Sequence, residues 1–344
     1  MTEALFRITL TTGLMIYLLL VVLGCTPVTL RQTEDISSTE GFVWPSSPQQ
    51  ARIRYLYSFY EPADLGIRPG MFKRFIQVFT GNEGRRMSRP YAIAVDSDII
   101  AIVDSGLKVV HLYLTKSEEY EVIADVNGES FVSPVGISLG HDVIYLTDSV
   151  LGKIFVLNRD GEHLYTISGL QRPTGIAYHA KSRRLYVADT LENRIVVFDD
   201  NGLQLDAFGT RGGAEGEFNF PSTLTFFEDI LYVNDTMNFR IQAFNLDGTP
   251  INSFGELGDG SGQFAHSKGL ATDEEGHLYI ADALSNYIQI FDSKGRFLLA
   301  FGGMGSNRGQ FRLPAGIFIL GNRIFVTDTQ NRRVQVFEYL GGNS

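Results

Sequence analysis

Short apolar runs recur along most of this chain, and each run ends in an aspartate. The runs read IAIVD, IYLTD, LYVAD, LYVND, LYIAD and IFVTD, with their aspartates at Asp104, Asp148, Asp189, Asp235, Asp282 and Asp328. A second series keeps step with the first and reads RPYAIAV, SPVGISL, RPTGIAY, FPSTLTF, HSKGLAT and LPAGIFI. Six copies of one strand-rich unit at intervals of 41–47 residues predict an all-β fold, a six-bladed β-propeller.

One unit contains enough strand-forming segments for a blade of four antiparallel strands. In the third unit these segments are RPTGIAYH, RRLYVADT, RIVVFDD and LQLDAFG. The pair Asn201-Gly202 predicts the tight turn between the last two strands, because Asn-Gly tolerates positive φ. Glycine-rich segments join the later units, and their recurring Phe218, Phe264 and Phe311 are predicted to pack between blades.

The last unit stops after its third strand, so the missing strand must come from elsewhere. Residues 51–59 alternate apolar and polar side chains in a strand pattern, and we expect them to complete the final blade and close the ring. Residues 71–79 have apolar side chains at helical spacing and predict a short helix packed on the ring. Lys73 and Arg74 leave a membrane-surface helix as the alternative. The propeller is therefore expected over residues 51–344.

The N-terminus differs from the rest of the chain. Arg7 is followed by an apolar stretch over residues 8–24, the length of a signal-peptide core, and then by Cys25, the single cysteine. The sequence Val22-Leu23-Gly24-Cys25 resembles a bacterial lipobox, in which the cysteine is lipidated and becomes the mature N-terminus. Residues 1–24 are thus predicted as a lipoprotein signal peptide, and the polar residues 25–50 as an anchored tether.

This N-terminus predicts an extracytoplasmic protein that a lipid holds on a bacterial membrane. Thr26 follows the cysteine where inner-membrane lipoproteins of many Gram-negative bacteria have Asp, which favours the outer membrane facing the periplasm. The net charge of −10 and the lack of a basic tract argue against a nucleic-acid partner. We expect a monomeric propeller.

Three of the units carry a more specific pattern after the aspartate. They read DTLENRIVVF, DTMNFRIQAF and DTQNRRVQVF. This pattern resembles the NHL repeat, and the resemblance covers roughly residues 86–338. Together with the N-terminus it implies a bacterial lipoprotein carrying a six-bladed NHL propeller. Because the Asp and Arg recur, we interpret them as structural pairs within blades rather than as catalytic groups: Asp189 with Arg194, Asp235 with Arg240, and Asp328 with Arg333.

Some propellers similar to this family are metal-dependent enzymes. The amidating lyases hold zinc with three histidines placed after the residue that begins the inner strand. The matching positions in this chain contain no histidine; they are Tyr91, Val135, Thr174, Ser222, Lys268 and Ala315. A lactonase-type propeller with a central calcium ion stays open as the alternative. No catalytic, cofactor-binding or metal-binding residue is predicted.

The leading hypothesis is a membrane-tethered scaffold that binds a protein or a small ligand of the cell envelope. Residues at and just before the start of the inner strand differ between blades, so we expect them to form a rim that contacts the ligand. This candidate rim consists of Arg89, Tyr91, Arg172, Thr174, Ser222, His266 and Lys268. The competing interpretation is that these residues only cap strands.

Overall fold

The computed structural model describes residues 42–67 and 86–341. Several predictions of the sequence lie outside these residues. They are the signal peptide 1–24, the anchor Cys25, most of the tether and the short helix 71–79.

The described residues form 27 strands. The chain begins with β1 (Val43–Trp44), β2 (Ile53–Phe59) and a 3₁₀ helix (Pro62–Leu65). Blade 1 comprises β3 (Pro90–Val95), β4 (Ile99–Asp104), β5 (Val109–Leu114) and β6 (Glu119–Ile123), and a small hairpin follows, β7 (Asp125–Val126) and β8 (Glu129–Ser130). Blade 2 comprises β9 (Pro134–Leu139), β10 (Val143–Asp148), β11 (Lys153–Asn158) and β12 (His163–Ser168). Blade 3 comprises β13 (Pro173–His179), β14 (Arg184–Asp189), β15 (Arg194–Asp199) and β16 (Gln204–Phe208).

The second half of the ring repeats this order. Blade 4 comprises β17 (Pro221–Phe227), β18 (Ile230–Asp235), β19 (Arg240–Asn245) and β20 (Pro250–Phe254). Blade 5 comprises β21 (Ser267–Thr272), β22 (Leu278–Asp282), β23 (Tyr287–Phe291) and β24 (Phe297–Gly302). Blade 6 receives β25 (Pro314–Leu320), β26 (Arg323–Asp328) and β27 (Arg333–Tyr339) from the C-terminal part of the chain. Three 3₁₀ turns follow the second strands of blades 3, 4 and 6, at Thr190–Glu192, Thr236–Asn238 and Thr329–Asn331.

The protein is a six-bladed β-propeller, as the repeat predicted. The first strands of neighbouring blades contact one another around a complete ring, including β25 with β3. Within the described residues, each pair of neighbouring blades shares one apolar cluster. A blade therefore buries its apolar faces only against its two neighbours, which is the arrangement expected of a closed repeat.

The N-terminal strand closes the ring. Strand β2 pairs antiparallel with β27, from Ile53 opposite Tyr339 to Phe59 opposite Val334. The closing blade has five strands rather than four, because β1 adds outside β2. The predicted tether over 25–50 therefore needs a correction at its end. Trp44 belongs to the closing sheet, and its ring packs against Phe301 and Phe337, with ring centroids 5.9 Å apart in both cases.

The interblade phenylalanines lie where the sequence placed them. Phe218, Phe264 and Phe311 are fully buried, and each belongs to the cluster between its own blade and the preceding one. Phe131 takes the same place between blades 1 and 2. These rings fill the space that the diverging outer strands would otherwise leave empty.

Inner strands approach each other closely, and in four of the six blades glycine occupies their third position, whereas blades 1 and 4 have Ala92 and Thr223 there. A Cβ atom on Gly175 would lie 2.0 Å from the Ser222 carbonyl oxygen, and one on Gly136 would lie 2.1 Å from the Thr174 carbonyl oxygen. Any larger residue would have to push the neighbouring backbone away. The narrow packing of the inner strands thus depends on these glycines.

Candidate functional site

The six strand-end aspartates fix the starts of the inner strands. All six are fully buried. In blade 1, the Asp104 carboxylate accepts hydrogen bonds from the backbone N–H groups of Ser88 at 2.6 Å and Arg89 at 3.0 Å. In every other blade the donors likewise lie just before the inner strand. The backbones of the predicted rim residues Arg89, Arg172 and His266 are held in this way.

The aspartates complete their hydrogen bonding in two different ways. In blades 1, 2 and 5 the carboxylate also accepts N–H groups from the turn that follows it, as Asp104 does from Gly106 and Leu107 at 2.9 and 3.0 Å. In blades 3, 4 and 6 the chain forms a 3₁₀ turn instead, and an arginine side chain reaches the carboxylate. The repeats without the arginine therefore satisfy the same buried acid through a different turn.

The structure brings the three predicted Asp and Arg pairs together. The shortest N···O distance is 3.2 Å for Asp189 with Arg194. It is 2.9 Å for Asp235 with Arg240 and 2.8 Å for Asp328 with Arg333. None of these residues lines the central channel, so their structural role stays the better prediction.

A buried histidine accompanies the aspartate of blade 1. The His111 imidazole contacts Tyr120 Oη at 2.6 Å and the Asp104 carboxylate at 3.4 Å. Burial opposes ionisation of Asp104, but the hydrogen bonds from His111 and from backbone N–H groups outweigh burial and lower the pKa of Asp104 to about 2. This acid therefore stays ionised and contributes stability above pH about 4, which is lost as pH falls towards 2.

A channel runs along the inner strands through the middle of the ring. Its volume is about 700 Å³, and all six inner strands contribute to its wall. The wall is mostly apolar, with hydroxyl groups spread among the apolar residues. The polar lining residues include Ser133, Ser138, Ser149, Thr174, Thr190, Ser222, Thr223, Thr225, Thr236 and Thr272.

Five of the seven predicted rim residues line this channel: Tyr91, Arg172, Thr174, Ser222 and Lys268. Arg89 and His266 do not line it; they stand one residue before the inner strands of blades 1 and 5. The contact of a ligand with any of these residues remains a prediction.

Two of the predicted rim residues hold neighbouring strands together. The Thr174 hydroxyl donates to the Ser222 carbonyl oxygen at 3.0 Å and contacts the Thr190 hydroxyl at 2.6 Å. The Ser222 hydroxyl contacts the Thr236 hydroxyl at 2.7 Å. The strand-capping interpretation therefore fits these two side chains.

Lys268 and Arg172 are the predicted rim residues best placed to contact a ligand. The Lys268 ammonium lies 5.0 Å from the Tyr91 ring centroid and 3.3 Å from its hydroxyl oxygen. Ala315 stands between them on the intervening strand β25, and its small side chain leaves room for this contact. The exposed guanidinium of Arg172 makes no hydrogen bond or ion pair with any described residue.

The channel wall carries positive charge, whereas the whole protein is acidic. No Asp, Glu or His is among the described residues that line it, although the net charge of the chain is −10. Burial and then the nearby Lys268 ammonium lower the pKa of His266, against the opposing effect of Asp282. The lowered pKa favours the neutral form of His266, and the cations of the channel wall itself are Arg172 and Lys268.

The channel wall does not offer a metal-binding set of side chains. Over residues 42–67 and 86–341, no three His, Cys, Asp or Glu side chains are placed to hold one ion. Zinc needs nitrogen or sulfur ligands, and calcium needs six to eight oxygen ligands that usually include carboxylates. Hydroxyl and aliphatic side chains fit a bound organic molecule better than either ion.

Several residues of the channel wall were not predicted from the sequence. Ser149, Thr190 and Thr236 line the channel and directly follow the strand-end aspartates, and Met237 comes next in blade 4. The signal was present, because five of the six repeats have Ser or Thr after the aspartate.

Comparisons with known proteins identify the fold. No protein family model matches the chain, and no curated protein matches it in sequence. Among solved structures, an auxiliary nutrient binding protein from Bacteroides thetaiotaomicron is similar, with a TM-score of 0.60 and 15% identity over 74% of this chain and 70% of the other. The virginiamycin B lyase of Staphylococcus aureus has a TM-score of 0.54 and 14% identity over 74% of this chain and 96% of its own.

A third similar structure is the hydrazine synthase of Kuenenia stuttgartiensis. Its TM-score is 0.53, with 11% identity over 74% of this chain and 96% of the other. These proteins differ widely in their named activities. At such identities the likeness establishes the propeller fold alone. Membership of the NHL family remains a prediction from the repeat pattern.

Proposed function

We propose that this protein is a membrane-tethered extracytoplasmic binding protein, which captures a partner or ligand of the bacterial cell envelope at the mouth of its channel. One observation carries the proposal. An acidic protein has a central channel lined by hydroxyl groups, apolar side chains and two cations, without a carboxylate in its described wall. A preformed concave site with few polar groups is typical of ligand binding.

Two further observations support this proposal. One of the proteins with the same fold is named a nutrient binding protein, so the architecture is compatible with such a role. The apolar residues 8–24 and Cys25 support the membrane tether and an extracytoplasmic location. Within the described residues no helix is both long and apolar enough to cross a membrane.

The alternative is a metal-dependent lyase or lactonase. Propeller lyases share the fold, but this channel lacks the converging ligands that such an enzyme needs within the described residues. The binding protein is therefore the function that the site supports better.

Crosslinking in intact cells tests the proposal. The tagged full chain would be crosslinked, purified from detergent-solubilised membranes and compared with the double variant Arg172→Ala and Lys268→Ala. We expect proteins or ligands recovered with the wild type to fall at least tenfold in the variant, because it removes both cations from the channel mouth.

The matched control removes two cations from the opposite face. Lys116 and Lys294 are exposed in turns between the third and fourth strands of blades 1 and 5. The double variant Lys116→Ala and Lys294→Ala should recover partners as the wild type does. Equal recovery with all three proteins would contradict binding at the channel mouth.

A further inference from the structure

Exposed apolar side chains surround the mouth of the channel. In five of the six blades, the turn after the strand-end aspartate presents a large apolar residue to solvent. These residues and their exposed fractions are Leu107 (41%), Val150 (67%), Leu191 (50%), Met237 (47%) and Leu284 (61%). Blade 6 has Gln330 in the corresponding place. We refer to the five apolar residues as the apolar ring.

The strand register places the apolar ring and the channel mouth on one face. In every blade the strand-end aspartate pairs with the first residue of the inner strand, as Asp189 does with Pro173 and Asp235 with Pro221. The turn after each aspartate therefore lies beside the start of an inner strand. Met237 belongs to both features, since it is exposed and also lines the channel.

These exposed side chains do not belong to the apolar core between blades. A core residue would be buried against the next blade, whereas Val150 and Leu284 are mostly in solvent. Exposed apolar side chains that cluster on one face of a protein are typical of interaction sites. The repetition places one exposed apolar side chain in each of five blades around the channel mouth.

The centre of this face is positively charged. Arg172 is exposed and makes no ion pair with a described residue, and the Lys268 ammonium contacts the Tyr91 ring and hydroxyl. An acidic group that entered the channel would meet these cations without competition from a carboxylate of the described wall. The face therefore combines a cationic centre with an apolar surround.

We infer that the partner is a protein that inserts an acidic side chain, flanked by apolar residues, into the channel mouth. The carboxylate contacts Arg172 or Lys268, and the flanking apolar side chains pack on the apolar ring. This inference rests on the proposed binding function and specifies its partner. Protein interfaces commonly combine an apolar area with a few charged contacts that fix how the two proteins are aligned, and this face offers both.

Two other occupants fit this face less well. A small anion would contact the channel but would leave the apolar ring in water. A flat membrane surface could cover the ring but would leave the concave channel unfilled. A projecting protein segment satisfies both features at once.

Site-specific photocrosslinking in intact cells tests the inference. The photoreactive amino acid p-benzoylphenylalanine would replace Leu191 or Leu284 of the apolar ring in the full chain. The control positions are Leu203 and Leu320, which are 64% and 38% exposed on the opposite face. We expect a discrete protein adduct from the two ring positions and none from the controls.

Mass spectrometry of the adduct would then identify the crosslinked segment. The inference requires an Asp or Glu with apolar neighbours in that segment. A synthetic peptide of the segment should bind the purified full chain in a fluorescence anisotropy titration. Changing its acid to the amide should weaken binding about tenfold or more, since one partner of a charge-assisted contact is lost.

Charge reversal provides a second comparison. Arg172→Glu combined with Lys268→Glu should abolish the adduct at Leu191, whereas Lys116→Glu combined with Lys294→Glu should preserve it. Unfolding midpoints in urea would establish that both double variants are folded.

The other outcomes separate the inference from the function on which it rests. A protein adduct whose segment has no acid overturns the inference and leaves the binding function standing. Adducts to lipid alone, or to residues 68–85 of the same chain, also overturn it. No adduct at either ring position, together with unchanged crosslinking of the cation variants, overturns both.

Discussion

At the residue scale, the aspartate at the end of each second strand has the same structural role in every blade, but its further hydrogen-bond donors differ between blades. It lies in the core of the blade and accepts N–H groups from the segment before the inner strand. The remaining oxygen atoms are satisfied either by a following turn or by an arginine. Because an unsatisfied buried carboxylate is costly, a repeat can lose the arginine only if its turn changes shape.

The cost of losing the arginine should differ between blades. Arg333 is 4% exposed and also donates to the carbonyl oxygens of Asn307 and Gln310 at 2.8 and 2.9 Å. Arg194 is 34% exposed, and among the described residues its one side-chain hydrogen bond goes to Asp189 at 3.2 Å. We expect Arg333→Met to destabilise the protein by about 3–5 kcal/mol and Arg194→Met by about 1 kcal/mol.

Urea unfolding of the two purified variants would measure this difference. Equal shifts of the unfolding midpoint would contradict the view that burial and the extra carbonyl contacts set the importance of the arginine.

The pair of His277 and Asp273 should make the stability of the protein depend on pH. The His277 imidazole lies 2.8 Å from the Asp273 carboxylate, and this hydrogen bond raises the pKa of His277, against burial. A raised folded pKa means that the pair contributes fully below about pH 6.5 and loses this contribution as pH rises through the folded value. The stability of the wild type should therefore fall more between pH 6 and pH 9 than that of His277→Gln.

Thermal unfolding of both proteins across this pH range would show the difference. Parallel pH profiles for wild type and variant would mean that the pair does not couple protonation to folding.

At the scale of the element, the N-terminal strand holds the ring shut. Strand β2 supplies Ile53 and Tyr55 to the cluster between blades 5 and 6, and Phe59 to the cluster between blades 6 and 1. One strand therefore joins both neighbours of the closing blade. Its contacts connect residues that are far apart in the chain, so they form only when the whole ring is assembled.

Phe59 should contribute more to stability than a phenylalanine at the edge of another blade. Phe59 is fully buried against Tyr113, whereas Phe297 is 36% exposed on the outer strand β24. We expect Phe59→Ala to cost about 3–5 kcal/mol and Phe297→Ala about 1 kcal/mol.

Chemical unfolding of the two variants provides the measurement. If Phe297→Ala lowered the midpoint as much as Phe59→Ala, closure by β2 would not be a special source of stability.

At the scale of the whole molecule, the propeller divides its charges unevenly. The chain carries a net charge of −10, but the channel wall in the described residues contains two cations and no acid. The face around the channel mouth also carries the apolar ring. One face of the ring is therefore chemically distinct, which is the property expected of a binding platform.

The predicted lipid anchor would determine where this platform acts. We expect Cys25→Ala to shift the protein from the membrane fraction to the soluble fraction and to abolish incorporation of a radiolabelled fatty acid. Ser37→Ala, in the predicted tether, serves as the control and should leave both properties unchanged. A Cys25→Ala variant that remained in membranes would favour an uncleaved helix over a lipid.

Much of the fold could be predicted from the sequence, but only part of the candidate site could. The positions of Tyr91, Arg172 and Lys268 on the channel wall follow from their place in the repeat, since every inner strand faces the axis. The apolar ring was not predicted, because Leu191 and Leu284 are indistinguishable from core residues in a chain where apolar side chains occupy both faces of most strands. The strand β1 was also missed, since two residues give no periodicity.

The sequence by itself determined the number of blades, the strand that closes them and the aspartate that recurs at the end of each second strand. These features repeat, and a repeated pattern of turns, glycines and buried acids admits one packing arrangement. Only the tertiary structure decided which side chains of the repeat remain exposed and which cations lack a partner. Those properties depend on which residues of the neighbouring blade lie beside each side chain, and a local sequence pattern does not contain that information.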